Sequence, residues 1–289
     1  YGGLMFKKSL YLIGIISCFI LFSSYARAEV DAEVAYILNT FSFLVCGFLV
    51  MWMAAGFLFL ESGLVTTRSV STIAAKNIGK FAIVSIVFYL FGYNLGYGVE
   101  EGGYLGFPSL WTDNTSMDTG YSDASDWFFQ ALFVCATVSI VSGAVAERIK
   151  IWPFFVFAAV LGGFIYPIQM GWEWGGGWLD ALGFSDFAGS TLVHACGGSA
   201  ALAGVILLGP RLGRFTDTGE PVNMAPFAPS SIPLVTLGTF ILWMGWYGFN
   251  GGSQLALGSY EDATAMSQIF MNTQLAACGG CMAGAIITR

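Results

Sequence analysis

Seven apolar stretches, near residues 36–60, 81–99, 127–145, 151–171, 187–208, 231–251 and 264–287, dominate this chain. Each is close to the ~20 residues that a helix needs to cross ~30 Å of hydrocarbon. Hydrocarbon offers no water to satisfy backbone N–H and C=O groups, so each stretch is confined to a helix whose hydrogen bonds are internal. The composition agrees, with 56% of residues hydrophobic and only 10% charged, against roughly 25% charged in soluble domains. The fold class expected is all-α, a polytopic membrane bundle. An isoelectric point near 4.6 excludes a basic surface for nucleic acid.

The N-terminus has a different character. Lys7 and Lys8 precede an apolar run from Leu10 to Phe22, followed by Ala26-Arg27-Ala28, the order of a cleavable secretory signal. The chain therefore divides into an N-terminal extension with its signal, 1–28, and a membrane domain, 29–289, with Tyr1 to Leu4 ahead of the initiator Met5. Cleavage leaves Glu29 on the outer side of a bacterial inner membrane. Basic residues in short loops stay on the cytoplasmic side. Arg68, Lys76 and Lys80, then Arg148 and Lys150, then Arg211 and Arg214, then Arg289 each follow an odd-numbered stretch. The loops after even-numbered stretches hold acids alone: Glu100, Glu101, Asp113, Asp118, Asp123 and Asp126, then Glu173 and Asp180, then Glu261 and Asp262. Both signals predict seven spans with the N-terminus outside. The end of the sequence directly after the seventh reads as a fragment of a longer frame.

The 38 glycines suit helices that associate through close backbone approach. In the fifth span Ala195, Ser199 and Ala203 recur every four residues, as do Cys196, Ala200 and Gly204, which predicts a helix surrounded by protein. A faint echo links Trp52-Met53-Ala54-Ala55-Gly56-Phe57 with Trp243-Met244-Gly245-Trp246-Tyr247-Gly248-Phe249. The two segments run from opposite sides, as an inverted repeat of five spans each requires. Cys278 and Cys281 have CxxC spacing but no second pair or nearby histidine, so they read as buried thiols and no metal or cofactor is expected.

The chemistry concentrates in few residues. His194 is the sole histidine, and an ionisable group inside a span marks a polar path by default. Asp186 begins the fifth helix and suits the capping of its free N–H groups; His194 lies roughly 12 Å deeper at 1.5 Å per residue. Phe129 and Phe133, four apart on the third span, share a helical face. Trp172, Trp174 and Trp178 surround Gly175-Gly176-Gly177 in an outer loop, and the sixth span closes with Trp246-Tyr247-Gly248-Phe249-Asn250-Gly251-Gly252-Ser253. Ring faces attract a small cation by ~0.5–2 kcal/mol, and a hydroxyl accepts one of its protons. Such a site favours a hydrogen-bonding cation such as ammonium over sodium, without an evident need for a carboxylate.

These strings resemble the ammonium transporter family (Amt/Mep/Rh). The resemblance rests on Asp186 to Leu202, DFAGSTLVHACGGSAAL, on Phe129 to Arg148, FQALFVCATVSIVSGAVAER, and on Gly245 to Ser253, GWYGFNGGS. It implies an inverted-repeat bundle of eleven spans, of which about seven are present. It further implies that Phe133, Trp174 and Ser253 recruit ammonium, that Phe129, Phe133 and Phe249 gate the pore below, and that His194 is the first of two pore histidines relaying a proton. A homotrimer and regulation at the cytoplasmic face by a PII-type protein follow from the same resemblance, with Arg68, Lys76, Lys80, Arg148, Arg211 and Arg214 lining that face. Glu61 departs from the family's frequent tyrosine and receives no role. The rival reading is an ammonium sensor of the same fold. An intramembrane enzyme using Asp186, His194 and Ser190 or Ser199 lacks a nucleophile turn and an oxyanion donor motif, so no enzymatic activity is expected.

Overall fold

The computed structural model describes residues 30–223 and 225–289; the expected signal segment lies outside them. Among the described residues, seven helices are long and apolar enough to cross a membrane. They are α1 (Ala32–Leu64), α2 (Thr67–Tyr97), α3 (Asp123–Ala144), α4 (Ile151–Gly171), α5 (Ser190–Leu208), α6 (Ile232–Gly252) and α7 (Tyr260–Ile287). No strand forms among the described residues. Short polar caps set several starts. The Asp31 carboxylate accepts from Glu33 N–H at the head of α1, Ser231 caps α6 ahead of Pro233, and Ser259 and Asp262 satisfy each other's free groups at the head of α7.

The loops alternate between two ends, as seven successive crossings require. At one end the α1–α2, α3–α4 and α5–α6 loops are tied together by Glu147. Its Oε1 accepts from Ser69 Oγ at 2.7 Å and from the Thr66 hydroxyl, while Oε2 takes Arg211 Nη1 at 2.6 Å. At the other end Asn39 donates to Gly120 O at 3.0 Å and accepts from Leu257 N–H at 2.7 Å, and Gly102 N–H meets Gly176 O at 2.9 Å.

Burial pushes the Glu147 carboxyl up, but the bonds from Thr66, Ser69 and Arg211 outweigh it and hold it below the ordinary glutamate value. A depressed carboxylate contributes stability that is present above its unfolded value and lost as pH falls through the folded one. Acidification below the ordinary glutamate range is therefore expected to loosen these three loops before the helices melt. Hydrogen exchange at pH 6 and pH 3 reads this directly; equal protection of residues 66–69 and 209–211 at both would contradict it.

The third helix is the centre of the bundle. Phe129, Leu132, Phe133, Val134, Val138 and Val141 are all buried, against Phe43 and Val50 of α1, Val84 and Phe88 of α2, and Phe154 and Leu161 of α4. The first and sixth helices meet through glycine. A Cβ on Gly238 would stand 2.5 Å from Leu60 N and 2.7 Å from Gly56 O, both backbone atoms that cannot move aside. This close approach is what glycine permits and any larger residue forbids.

Three expectations are corrected. The second span begins near residue 67, well before 81, so Lys76 and Lys80 lie inside α2 and are buried, and neither belongs to a loop or to the inner surface. A carboxylate from the neighbouring helix compensates their charge, which a hydropathy window on one strand of sequence does not register. Likewise Asp126 sits in the first turn of α3 and is buried, although the sequence placed it in an outer loop. Only one of the two small-residue stripes of the fifth helix is covered in this chain: Cys196 and Ala200 pack against the core, whereas Ala195, Ser199 and Ala203 are exposed, and the closest contact to α3 runs through Gly197 and Ala201. There a Cβ on Gly197 would stand 2.8 Å from Thr137 O.

Candidate functional site

Asp186 organises the head of α5. Its Oδ1 accepts from the N–H groups of Gly189 at 2.8 Å and Ser190 at 2.9 Å, and its Oδ2 from those of Thr191 at 2.7 Å and Leu192 at 2.8 Å. One carboxylate thus satisfies four donors that a helix start leaves free. The chain turns into the helix at Gly189, whose φ of 100° is a left-handed value, and a Cβ there would stand 2.6 Å from Val193 Cγ2. The helix then opens with a π-type turn over Ser190–Ala195, so the 1.5 Å ruler used to place His194 does not apply to its first turn.

Trp174 is fixed by the same segment, its indole N–H donating to Asp186 O at 2.7 Å. It stands edge-on to Phe133, with centroids 6.0 Å apart. Trp172 and Trp178 do not join it. They pack on each other at 5.8 Å, and Trp178 stacks on Tyr104 of the preceding loop, the bland anchoring role open to edge tryptophans.

Phe133 lies at the centre of an aromatic column. Phe129 is 4.6 Å from it on one side, and Phe249 of α6 stacks on it at 3.9 Å with an interplanar angle of 26°. The His194 ring follows, 5.3 Å from Phe249 in an edge arrangement. Its Nδ1 is 3.2 Å from Gly189 O. The order along the column is Phe129, Phe133, Phe249, His194.

Two cavities flank the stacked pair. One, about 330 Å³, is lined by Phe129, Phe133, Trp174, Ser253 and, beyond the sequence expectation, by Asp126, Gln130 and Tyr93. Ser253 donates its hydroxyl to Phe249 O at 2.8 Å, which leaves oxygen lone pairs free to accept. The other, about 500 Å³, is lined by His194, Phe249, Phe57, Trp243 and Trp246. There the His194 side is exposed in this chain.

Tyr121, at the mouth of the first cavity, has its phenol pushed up to about 12 by burial and then by the carboxylates of Asp126 and Asp123. It remains a neutral hydroxyl throughout the physiological range.

Glu61, left without a role by the sequence, is the centre of a buried ionic cluster. Lys76 Nζ is 3.2 Å from its Oε2 and Lys80 Nζ 3.6 Å from its Oε1, with Ser142 Oγ donating at 2.8 Å. Lys76 also donates to Ser142 O at 2.7 Å and lies over the Phe154 ring. The signal was present in the sequence, since an acid inside one span needs a base, and Lys76 and Lys80 share a helical face at i and i+4.

The sequence model of the Ammonium Transporter Family matches residues 41–289. A Synechocystis protein provisionally named an ammonium transporter is 41% identical over 285 residues, covering 96% of this chain and 63% of the relative. Ammonium transporter Amt2 of Archaeoglobus fulgidus is 40% identical over 255 residues, covering 85% of this chain and 53% of that protein. A solved structure described as a sensor Amt protein superposes with a TM-score of 0.79 at 32% identity, covering 88% of this chain and 63% of the other. This chain thus spans between half and two thirds of the length of these relatives.

Proposed function

Because the chain belongs to the ammonium transporter family, we propose that the full-length protein takes up ammonium from outside the cell and passes it inward as ammonia and a separately relayed proton. The acidic end of the bundle, carrying the 330 Å³ cavity, is the outer one. Ammonium settles among Phe133, Trp174 and the Ser253 hydroxyl, where ring faces and an acceptor oxygen replace part of its water shell. The Phe133–Phe249 stack closes the way for anything that keeps a hydration shell. Burial disfavours the charged amine and lowers its pKa, so the proton leaves before the rings are passed. Potassium has no proton to shed and is held back.

His194, on the far side of the stack, is the side chain that takes up the proton relayed past the rings by water, separately from the ammonia. A neutral imidazole both accepts and donates near pH 7. The observation that carries this reading is the succession of contacts from the cavity to the imidazole: Phe133 lines the outer cavity and stacks on Phe249 at 3.9 Å, and His194 lies 5.3 Å from Phe249. The exposed flank of His194 is proposed to face further helices of the full-length protein, including one with a partner histidine. A homotrimer in the bacterial inner membrane and a PII-type regulator at the inner loops belong to the same proposal.

Replacing His194 with alanine in the full-length protein is expected to abolish ammonium-driven current in proteoliposomes, or to slow it at least about a hundredfold, the scale of removing a positioned proton-transfer group. Undiminished current would overturn the relay. One observation favours a second reading: the solved structure described as a sensor Amt protein is similar over 88% of this chain. A sensor binds ammonium at the same cavity without flux. Saturable ligand-dependent stabilisation with no current would select it.

A further inference from the structure

The outer cavity holds two groups that the aromatic reading does not use. Asp126 and Gln130, one turn apart on α3, both line it, and each is only 6% exposed. Gln130 Nε2 donates to Asp126 Oδ1 at 3.3 Å, and the Tyr93 hydroxyl donates to Oδ2 at 2.5 Å. The amide orientation follows from that bond, because turning it over would set the Gln130 oxygen against the carboxylate. Gln130 Oε1 is consequently left buried without a hydrogen-bond partner among the described residues. An orphaned acceptor of this kind is costly and points to a donor that occupies the site.

The charge balance points the same way. Of the other buried acids, Glu61 has two lysines within 4 Å and Asp186 accepts from four backbone N–H groups. Asp126 has no such ion pair among the described residues, and no lysine or arginine lines its cavity. Its place in the first turn of α3 puts it near the positive end of the helix dipole. A carboxylate so placed focuses negative potential into the cavity.

We propose that Asp126 and Gln130 are further cation-holding residues of the outer cavity. Asp126 supplies the charge, Gln130 Oε1 the hydrogen-bond acceptor, and the ligand is a small primary ammonium ion. This rests on the reading of the cavity as the intake side of an ammonium-handling protein, and adds to it a charged residue that sets affinity. The ion donates protons to Gln130 Oε1 and Ser253 Oγ while the Phe133 and Trp174 faces enclose the rest. Asp126 acts through its field and by holding the Gln130 amide.

The test uses the full-length protein in proteoliposomes and the concentration of methylammonium that gives half-maximal current. Asp126→Asn keeps the shape and removes the charge; it is expected to raise that concentration about tenfold, the scale of local cation enrichment by a focused charge, with little change in maximal current. Gln130→Met, which leaves Asp126 in place, is expected to raise it several-fold. Tyr93→Phe separates this role from a structural one. It removes an internal bond to Asp126 but neither the charge nor the acceptor, so half-saturation stays within about twofold of wild type.

A shift in Tyr93→Phe as large as in Asp126→Asn overturns the proposal in favour of a packing role. So does an unshifted half-saturation in a folded Asp126→Asn protein. If Asp126→Asn does not fold, Gln130→Met decides alone, and no shift there overturns the proposal. Wild-type protein that neither carries nor is stabilised by methylammonium overturns the underlying reading, which an unshifted variant beside an active wild type leaves standing.

Discussion

Glu61→Ala lowers the melting temperature of the detergent-solubilised protein by roughly 10 °C and sharply reduces its yield in the membrane. Both lysines are buried, at 3% and 2% exposed, and Glu61 is the carboxylate that pairs with each. Removing one partner of a buried pair costs about 3–5 kcal/mol, because the remaining charge stays desolvated without compensation. Here two ammonium groups are stranded, Lys76 keeping the Ser142 carbonyl and the Phe154 ring and Lys80 the Phe57 ring. The same argument predicts rescue. Glu61→Ala combined with Lys76→Met and Lys80→Met removes every charge and keeps aliphatic volume on α2, and recovers most of the lost stability. A Glu61→Ala protein that melts with wild type would show that the cluster is hydrated and carries no such weight.

Asp186→Ala is expected to be nearly as damaging, for a backbone reason. Substituting an ordinary N-cap costs about 0.5–2 kcal/mol. The Asp186 carboxylate serves four N–H groups, and its charge strengthens each bond. The expected loss is about 3 kcal/mol or more. Asparagine keeps one acceptor oxygen and turns an amide N–H₂ toward the other pair of donors, so Asp186→Asn recovers less than half. Trp174 is held by Asp186 O, so fraying at this turn also loosens the indole beside Phe133. Tryptophan fluorescence of a Trp174-reporting variant, with thermal unfolding, measures both. Wild-type stability in Asp186→Ala would mean that backbone or solvent groups replace the carboxylate.

The seven crossings were legible because hydropathy over about 20 residues is a strong signal. The Phe129–Phe133 pair and the capping role of Asp186 were legible as well, since spacing along one helix needs no tertiary knowledge. What escaped was whatever depends on a partner from another span. Lys76 and Lys80 read as loop residues because their neutralising acid lies on α1. Asp126 read as one of several outer acids because nothing nearby in sequence announces Tyr93, on another helix, or the turn by which α3 begins early. The stripe of Ala195, Ser199 and Ala203 was read correctly as small, but which face of α5 meets α3 is set by Gly197 against Thr137, and a four-residue repeat does not choose between the two faces.

The capped turn at Gly189 bears on which ions approach at all. A bare helix start presents about half a positive charge and collects anions. With a full negative charge seated on it, the tip of α5 presents about half a negative charge instead. Chloride is therefore expected to be repelled from this rim.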